Sequence, residues 1–274
     1  MKRNLKFLIS FNGSQYFGFQ RQPSLPTVQG TIEDTLSQIL GVETKINGCS
    51  RTDSGVHAKE FCFNACIDNT IPEYGLKKAL NSRLPSDIRV FQIDEVPESF
   101  HARFDALVKE YLYIIETGET SNVFRSGMTF YYPYKLCFHS LDKAAELFIG
   151  EHDFSAFCKA ESKAGLKSAV RTVYYCRVEK SVNEIRFYIS GNGFLHNMVR
   201  IIVGTLIYYS EGKRSLSDIK RAIKTGERSL AGITAPSCGL YLNKVFYGRK
   251  EQHKCQEDIM TSLLIGKNKK LKNF

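Results

Sequence analysis

Apolar side chains occupy every second position from Leu5 to Phe11 and alternate with Lys6 and Ser10. This two-residue period predicts a half-buried strand near the start of the chain. A helical period follows Thr27, because apolar residues then recur three and four positions apart, and Thr27 itself can cap that helix. Gly41 favours the left-handed backbone in which many helices end, so the helix is predicted to end there.

The rest of the first half continues this mixture of strands and helices. Strands are predicted near Lys45, from Phe61 to Ile67 and from Ile88 to Val96. A helix is predicted to open at Pro72 and to run to about Arg83. Strands that alternate with helices in this order are typical of an α+β fold.

The second half has a pattern of the same kind. Its predicted strands cover residues 107–117, 131–136, 170–179, 184–190 and 240–246. Its predicted helices cover residues 141–149, residues 194–210 and a third segment that ends at Lys224. Ser140 is the expected cap of the first of these helices, and Ser215 with Asp218 is the expected capping box of the third.

The predicted fold class is therefore α+β. We expect two similar α/β-sandwich halves, of the ferredoxin-like or RRM-like kind, with mostly antiparallel sheets and a cleft between them. The first domain is predicted to cover residues 1–105 and to carry the Gly48–His57 loop. The second covers residues 106–248, and a basic tail, 249–274, is expected to be mobile.

The chain is basic, with 38 Lys and Arg residues against 28 Asp and Glu residues and a formal net charge of +10. An excess of positive charge suits a polyanionic partner, of which nucleic acid is the commonest. Charge alone leaves open a basic protein that binds no polyanion.

The 8 cysteines include no C-x-x-C pair and no Cys/His cluster with zinc-finger spacing. Buried, reduced cysteines in a cytoplasmic protein are the expectation. Neither a signal peptide nor an apolar stretch long enough to cross a membrane is recognised in the sequence. The sequence therefore predicts no metal site and no membrane association.

The segment from Arg51 to Ala58 holds the most informative chemistry. It places Asp53 beside Arg51 and Gly55 in a loop between two predicted strands, and catalytic groups often lie on such loops. An arginine that pairs with Asp53 keeps the acid ionised and oriented, as a nucleophilic carboxylate requires. The residues alone also allow a turn aspartate with a surface ion pair, and they favour that simpler interpretation.

The Gly48–Ala58 segment closely resembles the catalytic loop of the TruA family of tRNA pseudouridine synthases. Other motifs resemble the family in the same order along the chain: Phe17–Gln22 with Thr27–Gln29, Asn81–Pro85 with Asp87–Ile88, Phe100–Arg103 with Lys109–Tyr113, His152–Phe157, Gly193–Arg200 with Gly204, and Ala235–Pro236 with Gly239–Leu242. Seven motifs in order, from about residue 5 to residue 247, make the resemblance highly specific.

The resemblance implies roles for individual residues. Asp53 matches the catalytic nucleophile, and Arg200 matches the basic residue that pairs with it. Tyr111 matches the tyrosine that stacks on the target base and assists proton transfer, and Leu240 matches an apolar wall of the pocket. A buried arginine in an apolar helix needs an anionic partner, which independently makes Asp53 a natural candidate for Arg200.

Basic residues are expected to line an RNA cleft. Arg51, Arg21 and Arg103 are the predicted substrate-binding residues. The full set of candidates is Arg21, Arg51, Lys59, Arg83, Arg103, Lys109 and Arg171. Three histidines are read as structural or RNA-contacting rather than as general bases, namely His57, His101 and His196.

The implied activity is the isomerisation of uridine to pseudouridine at positions 38 to 40 of tRNA, in the anticodon stem-loop. The reaction requires neither a cofactor nor a metal, and the carboxylate acts on either the base or the sugar. The implied assembly is a homodimer with tRNA bound across both subunits. The alternatives are a non-catalytic RNA-binding protein on the same scaffold and an unrelated small-molecule enzyme with an α+β fold.

Overall fold

A mixed sheet runs through both halves of the chain. The computed structural model describes residues 2–159 and 168–248, and within those residues the sheet has ten strands. The strands are β1 (Lys2–Phe11), β2 (Asn47–Gly48), β3 (His57–Asp68), β4 (Ile88–Val96), β5 (Val108–Glu116), β6 (Phe130–Tyr131), β7 (Gly150–Asp153), β8 (Val170–Lys180), β9 (Glu184–Gly191) and β10 (Leu240–Phe246). The helices are α1 (Val28–Leu40), α2 (Glu73–Arg83), α3 (Phe138–Ala145), α4 (Met198–Ser210) and α5 (Leu216–Thr225).

The strands lie in the order β4-β1-β3-β10-β5-β9-β8-β7, with β2 paired to β3 and β6 to β5. Neighbours pair antiparallel except β10 with β3 and β6 with β5. The predicted α+β class with a mostly antiparallel sheet is therefore confirmed. The strand β10 joins the two halves, since it pairs with β3 on one side and with β5 on the other.

The two-residue period of the first strand places its apolar side chains on the core face. Leu5, Phe7 and Ile9 are fully buried there, and the Phe7 ring stacks on Phe63 of β3 at 4.5 Å between centroids. The buried face of α1 packs into the same core. Burial of these side chains supplies the main stabilisation of this half.

The local capping signals of two helices are confirmed. The Thr27 hydroxyl accepts a hydrogen bond from the Gly30 N–H, and Gly41 ends α1 with φ at 69°. Ser215 and Asp218 form the predicted capping box of α5. Each of these signals depends only on residues within one helical turn, so it can be recognised in a sequence.

Other predicted boundaries were wrong. The helix α3 begins at Phe138 after Cys137, so Ser140 lies inside the helix rather than at its cap, and its hydroxyl lies 3.2 Å from the Cys137 sulfur. The helix predicted from residue 194 begins only at Met198, because Asn197 has φ at 63°. The strand predicted over residues 131–136 is limited to β6.

The predicted division between residues 105 and 106 falls in the chain that connects β4 to β5. It remains a prediction, and so does the description of each half as a separate sandwich. The predicted basic tail, 249–274, lies outside the described residues. Within the described ranges no helix has both the length and the apolar character needed to cross a bilayer.

Candidate active site

The loop between β2 and β3 carries Asp53 and is held tightly against the loop that follows β1. Phe19 donates its N–H to the Thr52 carbonyl at 3.1 Å. Gly18 adopts φ +93°, and a Cβ atom there would lie 2.7 Å from that same carbonyl oxygen. Val56 donates its N–H to the Asp53 carbonyl at 3.2 Å, which closes a tight turn. The backbone on either side of the carboxylate is therefore fixed by contacts within the fold.

Two basic side chains from the start of α4 lie next to the Asp53 carboxylate. Arg200 Nη1 lies 3.5 Å from Oδ2, and His196 Nε2 lies 3.4 Å from Oδ1. The Asp53 side chain is 25% exposed and that of Arg200 is 17% exposed, so the pair is shielded without being sealed from water. The prediction that Arg200 pairs with Asp53 agrees with this geometry.

Arg200 is oriented by three hydrogen bonds or ion pairs in different directions. Its Nε donates to the Ala235 carbonyl at 2.7 Å, and its Nη1 donates to Asn197 Oδ1 at 2.8 Å as well as facing Asp53. Asn197 takes the left-handed backbone just before α4, a conformation that asparagine tolerates better than most residues. This turn places Asn197 and His196 on the same side of the helix start as Arg200.

Tyr111 lies on β5 with its side chain toward the Asp53 loop. Its hydroxyl is 3.2 Å from Ser50 Oγ, and its ring meets the edge of Phe194 at 5.1 Å between centroids and 83° between planes. Burial raises the pKa of the Tyr111 hydroxyl well above its ordinary value of 10, so the group stays protonated. Leu240, at the start of β10, is nearly buried and pairs with Tyr113 of β5.

A cavity of about 490 Å³ lies between these elements. Asp53, Tyr111 and Leu240 line it together with basic side chains from separate parts of the chain, which are Arg51, Arg103, Lys109 and Arg171. An aromatic ring and an aliphatic wall suit a flat base, while the four cations suit an anionic nucleic acid strand. Arg200 lines an adjoining depression, which Asp53 also lines.

Comparison with known proteins agrees with this geometry. The family described as tRNA pseudouridine synthase matches residues 8–105 and 144–248. The tRNA pseudouridine synthase A 2 of Clostridium perfringens is 41% identical over 245 residues, which are 89% of this chain and 100% of that protein. The chain belongs to the tRNA pseudouridine synthase family.

Further curated relatives in the family align over the same extent. The tRNA pseudouridine synthase A of Clostridium botulinum (strain Alaska E43 / Type E3) is 42% identical over 89% of this chain and all of its own length. That of Brevibacillus brevis is 40% identical over 90% of this chain and all of its own length. Among solved structures, a Cbf5-Nop10-Gar1 complex aligns with 86% of this chain and 57% of its own at 12% identity and a TM-score of 0.32, a likeness too weak to support an argument.

Some predicted RNA-contacting residues of this family member do not lie at the cavity. The Arg21 guanidinium is occupied by α1, where it pairs with Glu33 at 2.7 Å and with Asp34. Lys59 lies over the Tyr241 ring, and Arg83 is exposed at the end of α2. The structure therefore brings together four of the seven basic candidates, and the RNA contacts of all seven remain predictions.

Arg51 lines the cavity and is exposed, but it does not pair with Asp53 within the described part of the chain. Lys109 is more enclosed, and burial lowers the pKa of its ammonium group, with Arg103 adding to the effect. A lysine in such a place is stabilised in its charged form when an anion enters the cavity.

The three histidines have different surroundings. His57 is buried, accepts the Gly13 N–H at Nδ1 and lies 3.1 Å from the Cys238 carbonyl at Nε2, so it is structural. Burial lowers its pKa, which keeps the ring neutral. His101 accepts the Arg103 N–H at Nδ1. His196 was not predicted to touch Asp53, and helical spacing could not have revealed the contact, because the left-handed turn at Asn197 separates His196 from the helix that carries Arg200.

Proposed function

We propose that this protein isomerises uridine to pseudouridine in tRNA with Asp53 as its catalytic carboxylate. The observation that carries the proposal is the position of Asp53, which lies between Arg200 and His196 on the wall of a cavity completed by Tyr111 and Leu240. A binding protein gains nothing from a carboxylate in a basic RNA cleft, since the negative charge opposes the phosphates. A nucleophile, in contrast, has to be ionised and oriented.

The residue types match the steps of the reaction. The N1–C1′ bond of uridine breaks, the uracil turns, a C5–C1′ bond forms, C5 gives up its proton and N1 gains one. Asp53 acts on the base or on the sugar in the first step. The Tyr111 ring and Leu240 confine the detached uracil, and the protonated Tyr111 hydroxyl is placed to donate.

Entry of the uridine requires it to leave its stack, because the cavity is too narrow for a duplex. The four basic side chains of the cavity then face the RNA backbone. We place the target in the anticodon stem-loop, at positions 38 to 40 of tRNA, on the strength of the family resemblance.

We also propose a homodimeric assembly that binds tRNA across both subunits, and a cytoplasmic location. The seven cysteines within the described residues are all free, in keeping with a reducing compartment. Sedimentation of the purified protein with and without tRNA measures the assembly. A species of one-chain mass at micromolar concentration, in both samples, would contradict the dimer.

The test of the catalytic proposal is release of tritium from tRNA transcripts labelled at C5 of uridine. We expect release from one to three uridines near the anticodon by the wild-type protein, and none by Asp53→Asn, because the amide cannot act as a nucleophile. Fragment mapping of the product identifies the modified positions.

Asp94→Asn is the matched control, since Asp94 also forms an ion pair, with Lys6, but lies on β4 away from the cavity. It should release tritium as the wild type does. Release that survives Asp53→Asn contradicts the assignment of the catalytic group. Tight tRNA binding by the wild type without any release would instead favour a non-catalytic RNA-binding protein.

A further inference from the structure

A second depression, of about 600 Å³, adjoins the cavity. The two spaces share a wall made of Arg51, Thr52, Asp53, His196 and Asn197. Tyr111 and Leu240, which confine the target uracil, do not line the second space. The second space therefore continues from the first along the Asp53 loop but has a different set of outer side chains.

The outer wall of this depression comes from the loop after β1, and the proposed reaction uses none of that loop. Phe17 is 49% exposed there, although its neighbours Tyr16 and Phe19 are buried at 7% and 2%. The backbone at Phe17 is fixed, since its N–H donates to the Pro26 carbonyl at 2.9 Å and its carbonyl accepts from Gln22 Nε2 at 2.8 Å. A fold that holds an aromatic ring half in solvent on a fixed backbone presents a flat face for stacking.

The remaining side chains of the depression are polar or basic. Gln20 and Gln22 contribute amides, and Arg51, Lys159 and Arg200 contribute positive charge. Asp53 is the one carboxylate among the residues described as lining it, and Arg200 and His196 already lie against that group. An aromatic face, amides and cations are the groups that bind the base, the base edge and the phosphate of an unpaired nucleotide.

We propose that the second depression binds the base of a nucleotide directly adjacent to the target uridine in the same RNA strand. The base stacks on Phe17, Gln20 faces its edge, and Arg51 faces the phosphate that links it to the target. This inference rests on the proposed function, because it requires the target uridine to occupy the first cavity.

The physical reason for such a compartment is the cost of extruding the target. A uridine that leaves its stack also exposes one face of each neighbouring base to water. Stacking on Phe17 replaces part of that lost contact, so the extruded state becomes more populated. The depression thus contributes to binding of the opened RNA without touching the reacting atoms.

The experiment compares Phe17→Ala with the wild type on three anticodon stem-loop RNAs that have one tritiated target uridine. One RNA is intact, one lacks the base 5′ to the target, and one lacks the base 3′ to it. On intact RNA we expect Phe17→Ala to lower kcat/KM about tenfold, mainly through KM, since one base–aromatic stack is lost. On one of the two abasic RNAs, kcat/KM should be the same for Phe17→Ala and for the wild type.

Phe91→Ala is the matched control, because Phe91 is 41% exposed on β4 and lies outside the depression. It should leave kcat/KM unchanged on every RNA. Gln20→Ala should change which of the four bases is preferred at the neighbouring position whose removal abolishes the effect of Phe17→Ala. The base preference at the other neighbouring position should not change. Phe17→Leu, which keeps an apolar side chain in the loop, provides the comparison if Phe17→Ala lowers the melting temperature.

Phe17→Ala overturns the inference if it lowers kcat/KM by the same factor on the intact RNA and on both abasic RNAs. An unchanged kcat/KM on the intact RNA also overturns it. Failure of the proposed function gives a different result. In that case neither the wild type nor any Phe17 variant releases tritium from the intact RNA.

Discussion

Asp53 has two basic neighbours that hold different oxygens of the same carboxylate. His196 Nε2 faces Oδ1 while Arg200 faces Oδ2, so removal of His196 leaves Oδ1 without that contact. We expect His196→Ala to lower kcat about tenfold, the change that follows when a polar contact of about 1.4 kcal/mol to the carboxylate is lost. His196→Gln should recover most of the loss, because its amide also donates an N–H.

Single-turnover rates at saturating enzyme measure this effect without a contribution from tRNA release. A rate for His196→Ala equal to that of the wild type would show that Arg200 alone orients the carboxylate. A loss confined to KM would instead assign His196 to RNA binding.

The Tyr111 hydroxyl is predicted to act as a neutral proton donor. Burial raises its pKa above the ordinary value of 10, and a raised tyrosine pKa favours the protonated form, which is lost only at more alkaline pH. The pH–rate profile should therefore show no fall from Tyr111 ionisation below about pH 10. Tyr111→Phe should lower kcat about a hundredfold, as expected for loss of a proton donor.

The dissociation constant for tRNA should be the same for Tyr111→Phe and the wild type, because the ring that contacts the base is retained. Tyr111→Leu should weaken binding as well. Equal rates for Tyr111→Phe and the wild type would limit the role of Tyr111 to stacking.

The helix α4 positions the basic groups and depends on a close approach of two backbones. A Cβ atom at Gly204 would lie 2.0 Å from the Ile233 carbonyl oxygen, in the segment that also supplies Ala235 to Arg200. We expect Gly204→Ala to lower the free energy of unfolding by about 3 kcal/mol, at the upper end of overpacking effects. Urea unfolding measures the change.

Gly75 on α2 is the matched control, since a Cβ atom there would meet Ile71 at an ordinary 3.4 Å. Gly75→Ala should raise the free energy of unfolding by roughly 0.5–1 kcal/mol, because alanine loses less backbone entropy in a helix. A stabilising effect of Gly204→Ala would contradict the close packing of α4 on the Gly232–Ala235 segment.

Helix ends could be predicted where all the residues that determine them lie within one helical turn. Thr27, Gly41 and the Ser215–Asp218 pair are examples of this. The start of α4 was not predictable, because the apolar pattern from Phe194 continues through Asn197 although the backbone turns there. The Arg200 side chain stabilises that turn in part, because it donates a hydrogen bond to Asn197. Ala235, which is distant in sequence, orients Arg200 by accepting a hydrogen bond from it.

At the scale of the whole molecule, the net charge is +10, and four of the basic side chains line the cavity. Affinity for tRNA should therefore fall steeply with salt. Arg103→Ala or Arg171→Ala should each reduce the slope of log Kd against log salt concentration by about 0.7 to 0.9, as for loss of one phosphate contact.

Arg221→Ala is the control for this measurement, since Arg221 is exposed on α5, does not line the cavity and is not one of the seven predicted RNA-contacting residues. Its slope should equal that of the wild type. Filter binding from 50 to 200 mM salt covers the range in which such contacts change affinity by orders of magnitude. An equal reduction for Arg221→Ala would mean that the RNA crosses α5 as well.

The sequence could identify Asp53, Tyr111, Leu240 and Arg200 through the family motifs, and the structure brings these residues close together. The sequence could not reveal that Arg21 is neutralised by Glu33, because only the folded loop places that arginine over α1. Nor could it reveal the second depression, since a space exists only between elements that are already packed.

The strand β10 has a consequence for the order in which this protein becomes active during synthesis. It is the last described strand, yet it lies between β3 and β5 and supplies Leu240 to the cavity. A nascent chain on the ribosome can expose its arginines and lysines to RNA long before Phe246 has emerged. Because Leu240 is absent from the wall of the cavity until that strand is inserted, we expect an unfinished copy to bind RNA without modifying it.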